Sequence, residues 1–320
     1  MKNFIIKLAT IAIILSTNTV CKEKLSAITY KLSRGRFGDC LQTYFKAKWL
    51  SYKNNIPLLY VPFKYSNQLL MHNTEQKYSI NSKKNFNKVI KKNDFQIKRK
   101  EGNLYIVNFY TNTKIDWKDN NFKNELKRNV YPIAPITKPD IPQGYISIAV
   151  HVRKGGGYDA PLISKGGKTP KKGRKAADKR WPKKFPPDSY YMDQIKNLYE
   201  KLDKKPLYIR IFTDDKNPSR IVKKYKTALN KKNVIFSCRE KNNRHNKNVL
   251  EDFFCMMHYD CLIRPLSSFS LTSERIGNFF IVISPKSFHW KGNKLIIDKV
   301  NFTVNKNNFY KIEDLLDKPF

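Results

Sequence analysis

GYISIAVHVRKGGGYD, residues 144–159, decides how this chain is read. From Tyr145 to Val152 it is apolar and rich in β-branched residues, interrupted only by Ser147 and His151. That is the pattern of a strand buried on both faces of a parallel sheet. The run passes directly into Arg153, Lys154 and three glycines at 155–157. Open α/β sheets bind their ligands beyond the carboxyl ends of strands. A buried strand with this ending is therefore expected to deliver side chains to a site.

Downstream of it, strand-like and helix-like stretches alternate. A helix opened by Pro187 and Asp188 carries Tyr191, Ile195, Leu198, Tyr199 and Leu202 on one face. The strand 207–212 ends in Thr213, Asp214 and Asp215, and a helix near 219–229 and a strand at 234–236 follow. A helix at 249–258, opened by Glu251 and Asp252, leads to a strand at 261–264 that breaks into Ser267, Ser268, Phe269 and Ser270. A helix at 275–278 and a strand at 279–283 complete the alternation. Between 162 and 185 lies an insertion rich in Gly, Lys and Arg, expected to form a basic loop beside the site.

Upstream, a strand at 27–32 enters the turn Gly35-Arg36-Phe37-Gly38-Asp39. Asp39 is the expected N-cap of a helix whose Leu41, Tyr44, Phe45, Trp49 and Tyr52 form a buried face, followed by a strand at 56–61. Such a turn offers backbone N–H groups to an anion at a helix N-terminus; a tight turn that simply needs glycine is the alternative reading. Residues 64–128 are rich in Lys and Asn, with one clear strand at 104–110. The prolines between 131 and 142 exclude helix there. The resulting divisions are 1–22, a signal peptide or membrane anchor; 26–130, an N-terminal domain; 131–143, a linker; 144–300, a C-terminal domain; and 301–320, a tail. The repeated alternation assigns the α/β class with parallel sheets.

Composition agrees with a folded chain: 320 residues, 40% hydrophobic, 13% aromatic. The formal charge is +37, from 63 Lys and Arg against 26 Asp and Glu, spread over every segment. That predicts non-specific attraction to polyanions or membrane surfaces and says little about fold. No aromatic stacking motif or zinc knuckle points to specific nucleic-acid recognition. The five cysteines form no CxxC pair, so neither a zinc site nor a disulfide scaffold is indicated. GxGxxG and GxxxxGK[ST] are absent, which removes support for dinucleotide and P-loop enzymes. Asp214 and Asp215 lack a third carboxylate at metal-ligand spacing. The apolar N-terminal segment is expected to export or tether the protein, while a cytoplasmic catalytic domain stays open; Val20-Cys21 as a lipoprotein box ranks last.

Four polar clusters thus stand at strand or turn ends, and their order resembles the fucosyltransferase superfamily, which includes the protein O-fucosyltransferases and the α1,2 and α1,6 enzymes. Gly35-Arg36-Phe37-Gly38-Asp39 is similar to the family's GRFGNQ-type turn, with Asp39 and Cys40 where the family usually has Asn and Gln. His151-Val152-Arg153 matches the HxR core, followed here by Lys154 and glycines instead of the usual Arg-Gly-Asp or Arg-Thr-Asp. Phe212-Thr213-Asp214-Asp215 resembles the strand-end FTDD, and Glu251-Asp252 with the later Ser267-Ser268-Phe269-Ser270 resembles the last motif.

The resemblance implies a GT-B-like arrangement, two Rossmann-like domains with a cleft between them. It also implies an inverting transferase that needs no metal or other cofactor and takes a GDP-sugar, GDP-fucose first, as donor to a glycan or protein hydroxyl. On that reading Arg153 stabilises the departing diphosphate, as a guanidinium can. Arg36, Phe37, Gly38, Asp39, Ser267, Ser268, Phe269 and Ser270 surround the donor, and Asp214, Asp215 and His151 reach base or ribose. Asp159 is the candidate base, with His151 beside it as a further catalytic candidate. A non-catalytic relative that binds sugar or nucleotide, and a basic polyanion-binding protein, are the competing expectations.

Overall fold

The computed structural model describes residues 24–33, 35–91, 93–94, 96–155, 177–240, 243–244 and 246–316. The N-terminal segment, most of the basic insertion, the glycines at 156–157 and Asp159 lie outside them.

The chain is α/β, as its alternation requires. A first sheet comprises β1 (Ala27–Tyr30), β2 (Lys88–Ile90) and β3 (Asn103–Val107), parallel in the order β1-β3-β2. Between β1 and β2 run α1 (Phe37–Asn54) and the short α2 (Met71–Thr74); α3 (Asn120–Val130) follows β3. Helix α1 buries Leu41, Tyr44 and Phe45 against this sheet, each worth about 1.5–3 kcal/mol when fully removed from water. It ends where Asn55 turns left-handed at φ 48° and returns its N–H to the carbonyls of Ser51 and Tyr52. The strand expected at 56–61 is reduced to isolated bridges, Ile28 with Leu58 and Tyr60 with Lys77. Pro57 lacks the donor that a continuous ladder would use there.

The second sheet holds β4 (Ile146–Val152), β5 (Leu207–Thr213), β6 (Val234–Cys238), β7 (Cys261–Ile263), β8 (Ile281–Lys291) and β9 (Lys294–Val304). Their order is β6-β5-β4-β7-β8-β9, parallel except for the last pair. Every residue of β4 is buried, as its unbroken apolar run requires. Helices α4 (Ala177–Arg180), α5 (Asp188–Lys201), α6 (Pro218–Leu229), α7 (Val249–Met256) and α8 (Ser268–Ile276) connect the strands. From β4 the chain moves outward to β5 and β6, then returns to place β7 on the other side of β4. The order therefore reverses between β4 and β7, the crevice where open α/β sheets accept ligands.

Helices α7 and α8 also join the two halves. Leu250, Phe253 and Phe254 of α7 and Ile276 of α8 belong to the same apolar cluster as α1 and the first sheet. The second sheet has its own core, built on Ile148, Val150, Ile209, Ile211 and Ile283.

Three local expectations need correction. Helix α1 begins at Phe37, so Asp39 is not its N-cap; it is the third helical residue and its Oδ2 accepts the N–H of Arg36 at 3.2 Å. The helix expected at 275–278 begins at Ser268, because β7 is only three residues long and Ser267 supplies the extended cap conformation. The boundary at residue 300 falls inside β9, and Ile312 beyond it is 1% exposed, in the core of the second sheet. No helix among the described residues is long and apolar enough to cross a membrane.

Candidate functional site

A cavity of about 380 Å3 opens at the β4/β7 reversal. One wall comes from the second sheet: His151 and Arg153 at the end of β4, Thr213 and Asp214 at the end of β5, and Ser267 to Phe269 after β7. The facing wall is the 35–40 turn with the start of α1, continued by Lys64 and Tyr65. Lys184, Phe212, Arg244, Asn246, Lys247, Val249 and Asp252 complete the lining.

Two helix N-termini meet in this space. Phe37 and Gly38 open α1, Ser268 and Phe269 open α8, and all four line the cavity. They approach so closely that a Cβ on Gly38 would stand 2.5 Å from the backbone nitrogen of Phe269. Only a glycine fits there. Phe37 fixes the approach by packing edge-on against Phe253 of α7 at 5.2 Å. Each helix end carries about half a positive charge from its aligned peptide dipoles. The cavity is thus polarised for an anion before any side chain is counted.

Side chains add to that field. Arg36, Lys64, Arg153, Lys184, Arg244 and Lys247 line the cavity with three carboxylates, Asp39, Asp214 and Asp252. Each carboxylate already has a partner: Asp39 the Arg36 N–H, Asp214 the Arg153 guanidinium, and Asp252 the Arg239 guanidinium at 2.8 Å. Burial pushes the Asp252 carboxyl upward, and the Arg239 charge opposes that.

Arg153 is 7% exposed and lines the cavity, with its guanidinium 5.8 Å from the centre of the Phe185 ring. Its ion pair with Asp214 follows from register. Val152 of β4 stands opposite Thr213 of β5, so the next residues, Arg153 and Asp214, leave the sheet side by side. The other carboxylate oxygen of Asp214 accepts the N–H groups of Lys154 at 2.8 Å and Gly155 at 3.1 Å. The Lys154 ammonium turns instead to Asp188, which also accepts from Lys224 and Tyr225. Burial alone would raise the Asp188 pKa, but these partners outweigh it and hold it at about 2.

His151 packs against Phe269 with ring centres 5.5 Å apart, and its Nδ1 has no hydrogen-bond partner among the described residues. Burial, with the Arg264 charge behind it, lowers its pKa to about 3. It is a neutral imidazole at physiological pH, able to hydrogen-bond a ligand and poorly suited to take a proton. Burial and the neighbouring Asp39 lift the Cys40 thiol to about 11, so this cavity cysteine is no nucleophile.

Of the expected site residues, His151, Arg153, Arg36, Phe37, Gly38, Asp39, Asp214, Ser267, Ser268 and Phe269 converge on the one cavity. Two do not line it. Asp215 turns into its own loop, accepting the Asn217 N–H at 2.9 Å, and the buried Ser270 hydroxyl donates back to the Ser267 carbonyl at 3.4 Å. Asp159 lies outside the described residues. Among those residues, no group of three or more His, Cys, Asp or Glu side chains gathers at metal-binding spacing.

Sequence reading missed Lys64, Tyr65, Lys184, Arg244, Asn246 and Lys247 as lining residues. They sit in Lys/Asn-rich segments where one more cation carries no signal. Tyr65 is the exception in geometry. It is held at φ 72°, costly for an aromatic residue, and its hydroxyl donates across the cavity mouth to the Asn246 carbonyl at 3.1 Å.

No family model and no curated protein matches the sequence. Among solved structures the chain is similar to apo POFUT1, at 10% identity and a TM-score of 0.45 over 79% of this chain and 94% of that one. It is also similar to a mutant of Arabidopsis thaliana FUT1 in complex with GDP, at 11% identity and a TM-score of 0.47 over 81% and 70%. A third is NodZ alpha-1,6-fucosyltransferase soaked with GDP-fucose, at 12% identity and a TM-score of 0.41 over 88% and 99%. The last bears the name of the superfamily that the sequence motifs resemble; at these identities the likeness is one of chain course and says nothing of substrate.

Proposed function

We propose that the protein is a glycosyltransferase that takes a nucleoside-diphosphate sugar, a GDP-sugar such as GDP-fucose first among them, and moves the sugar to a hydroxyl of a glycan or protein with inversion. One observation carries the reading: two helix N-termini and the Arg153 guanidinium converge on a single cavity at the topological reversal of a parallel sheet. That constellation suits a diphosphate better than a neutral ligand.

In the transfer, the bond between the anomeric carbon and the β-phosphate oxygen breaks and its electron pair stays on the diphosphate. Arg153 and the N–H groups opening α1 and α8 would receive the charge that grows there. The acceptor hydroxyl attacks the opposite face of the sugar and gives up its proton. The three cavity carboxylates are already engaged, and His151 is held neutral with a low pKa. Asp159 therefore remains the proposed base.

A thermal-unfolding panel of GDP, UDP, ADP and CMP tests the donor. Selective stabilisation by GDP is expected, about 2.7 kcal/mol at a hundredfold excess over Kd. Equal indifference to all four nucleotides would remove the reading. Arg153→Ala should lose at least ~2 kcal/mol of transition-state stabilisation, roughly thirtyfold in rate. GDP binding without any sugar transfer by the wild type would return the non-catalytic relative instead.

A further inference from the structure

The sequence pointed to Asp214 as a contact for base or ribose. The structure assigns it a different task, and we infer that Asp214 is a positioning residue. Its carboxylate fills the anion-binding turn at the end of β4, aligns Arg153 for the incoming diphosphate, and by its own charge weakens the hold on the nucleoside diphosphate left after transfer. This rests on the donor class proposed above and adds a residue that governs it.

Three observations support it. First, the end of β4 is itself an anion-binding concavity. Successive N–H groups of Lys154 and Gly155 point at one oxygen, with Gly155 at φ 85°, the backbone form in which such nests cradle phosphate or carboxylate. Asp214 fills that nest from the neighbouring strand. Second, the other oxygen of the same carboxylate pairs with Arg153, and both side chains are more than nine-tenths buried. A buried guanidinium without a counter-charge is strongly unfavourable, and the Asp214 carboxylate supplies one. Third, Asp214 lines the cavity, so a bound diphosphate stands beside a fixed negative charge. Like charges at such range disfavour binding, most of all for the fully charged nucleoside diphosphate that must leave.

The carboxylate therefore does two opposed things. It orients the guanidinium, which favours the transition state, and it weakens the grip on the ground-state diphosphate. Removing the charge while keeping the shape separates them. In Asp214→Asn one side-chain oxygen remains to accept from Lys154 and Gly155, while the negative charge facing Arg153 is gone.

The experiment measures GDP and inorganic pyrophosphate binding by calorimetry at fixed salt, together with steady-state transfer kinetics, on wild type, Asp214→Asn and Asp214→Glu. Asp214→Asn is expected to bind GDP at least threefold more tightly than wild type, with kcat and the donor KM both lowered. A merely structural role would move affinity the other way. Unchanged or weaker GDP binding by a folded Asp214→Asn overturns the inference. Should that variant not fold, Asp214→Glu decides: it keeps the charge and shifts the carboxylate, so GDP affinity within twofold of wild type and a kcat at least tenfold lower are expected, and an unaltered kcat overturns the role. Wild-type protein that binds neither GDP nor pyrophosphate removes the donor class and the inference together. Wild type that binds both, with an unaltered Asp214→Asn, removes the inference alone.

Discussion

His151 shows how one buried residue ties the site to the stability of the whole. In the unfolded chain its imidazole titrates near the usual value of about 6.5, whereas the folded protein holds it near 3 by burial and by Arg264. Between those values the unfolded state binds the extra proton, so stability falls as the pH drops through that window. Wild type should lose stability between pH 6.5 and pH 4.5, above the range where most carboxylates titrate, and His151→Asn should lose less. Chemical denaturation at the two pH values checks this; equal pH slopes for the two proteins would contradict it. His151 and Arg153 were legible in the sequence because an apolar run announces where its strand ends. The Arg153–Asp214 pair was not, since it follows from the register of β4 against β5, and strands of separate sequence position carry no mark of their alignment.

The meeting of α1 and α8 matters more than either helix alone. Gly38→Ala would place a methyl 2.5 Å from the Phe269 nitrogen, against backbone that cannot step aside as a flexible side chain could. Overpacking of this kind costs about 1–3 kcal/mol. The variant is expected to melt a few degrees lower and to bind GDP more weakly, because the two N-termini are driven apart. A variant with unchanged melting temperature and GDP affinity would show that the contact is loose. The sequence announced the glycine turn before α1 but placed the helix cap three residues late, at Asp39 instead of Arg36, when Asp39 reaches back from inside the first turn. It also read Ser267 to Ser270 as a turn. Serines open helices as readily as they form turns, and the buried set Ser270, Thr272, Ser273 and Ile276 is too polar to show an apolar stripe. The long β8–β9 hairpin was read only in its first buried residues, because from Lys286 onward exposed and half-buried residues replace the apolar run.

Over the entire chain, a net charge of +37 surrounds a cavity already polarised for anions. The exposed part of that charge is screened by salt within about 10 Å at 0.1 M. Raising salt from about 50 to about 500 mM should therefore weaken GDP binding several-fold and leave guanosine binding nearly unchanged. Calorimetry with the two ligands measures this, and equal salt dependence for both would place the nucleotide's phosphates away from the cations. The α/β class and the place of the site were legible because buried parallel strands are written as apolar runs with polar endings. The C-terminal limit was not, and the returning strand gives it a practical meaning. β9 pairs along the full length of β8, from Ile281–Val304 to Lys291–Lys294, and the segment after it seals the sheet's apolar underside with Ile312. A shortened protein that stops at residue 300 would bare one flank of β8 and uncap the bottom of the second sheet, so trimming for crystals or fusions should spare everything through Ile312.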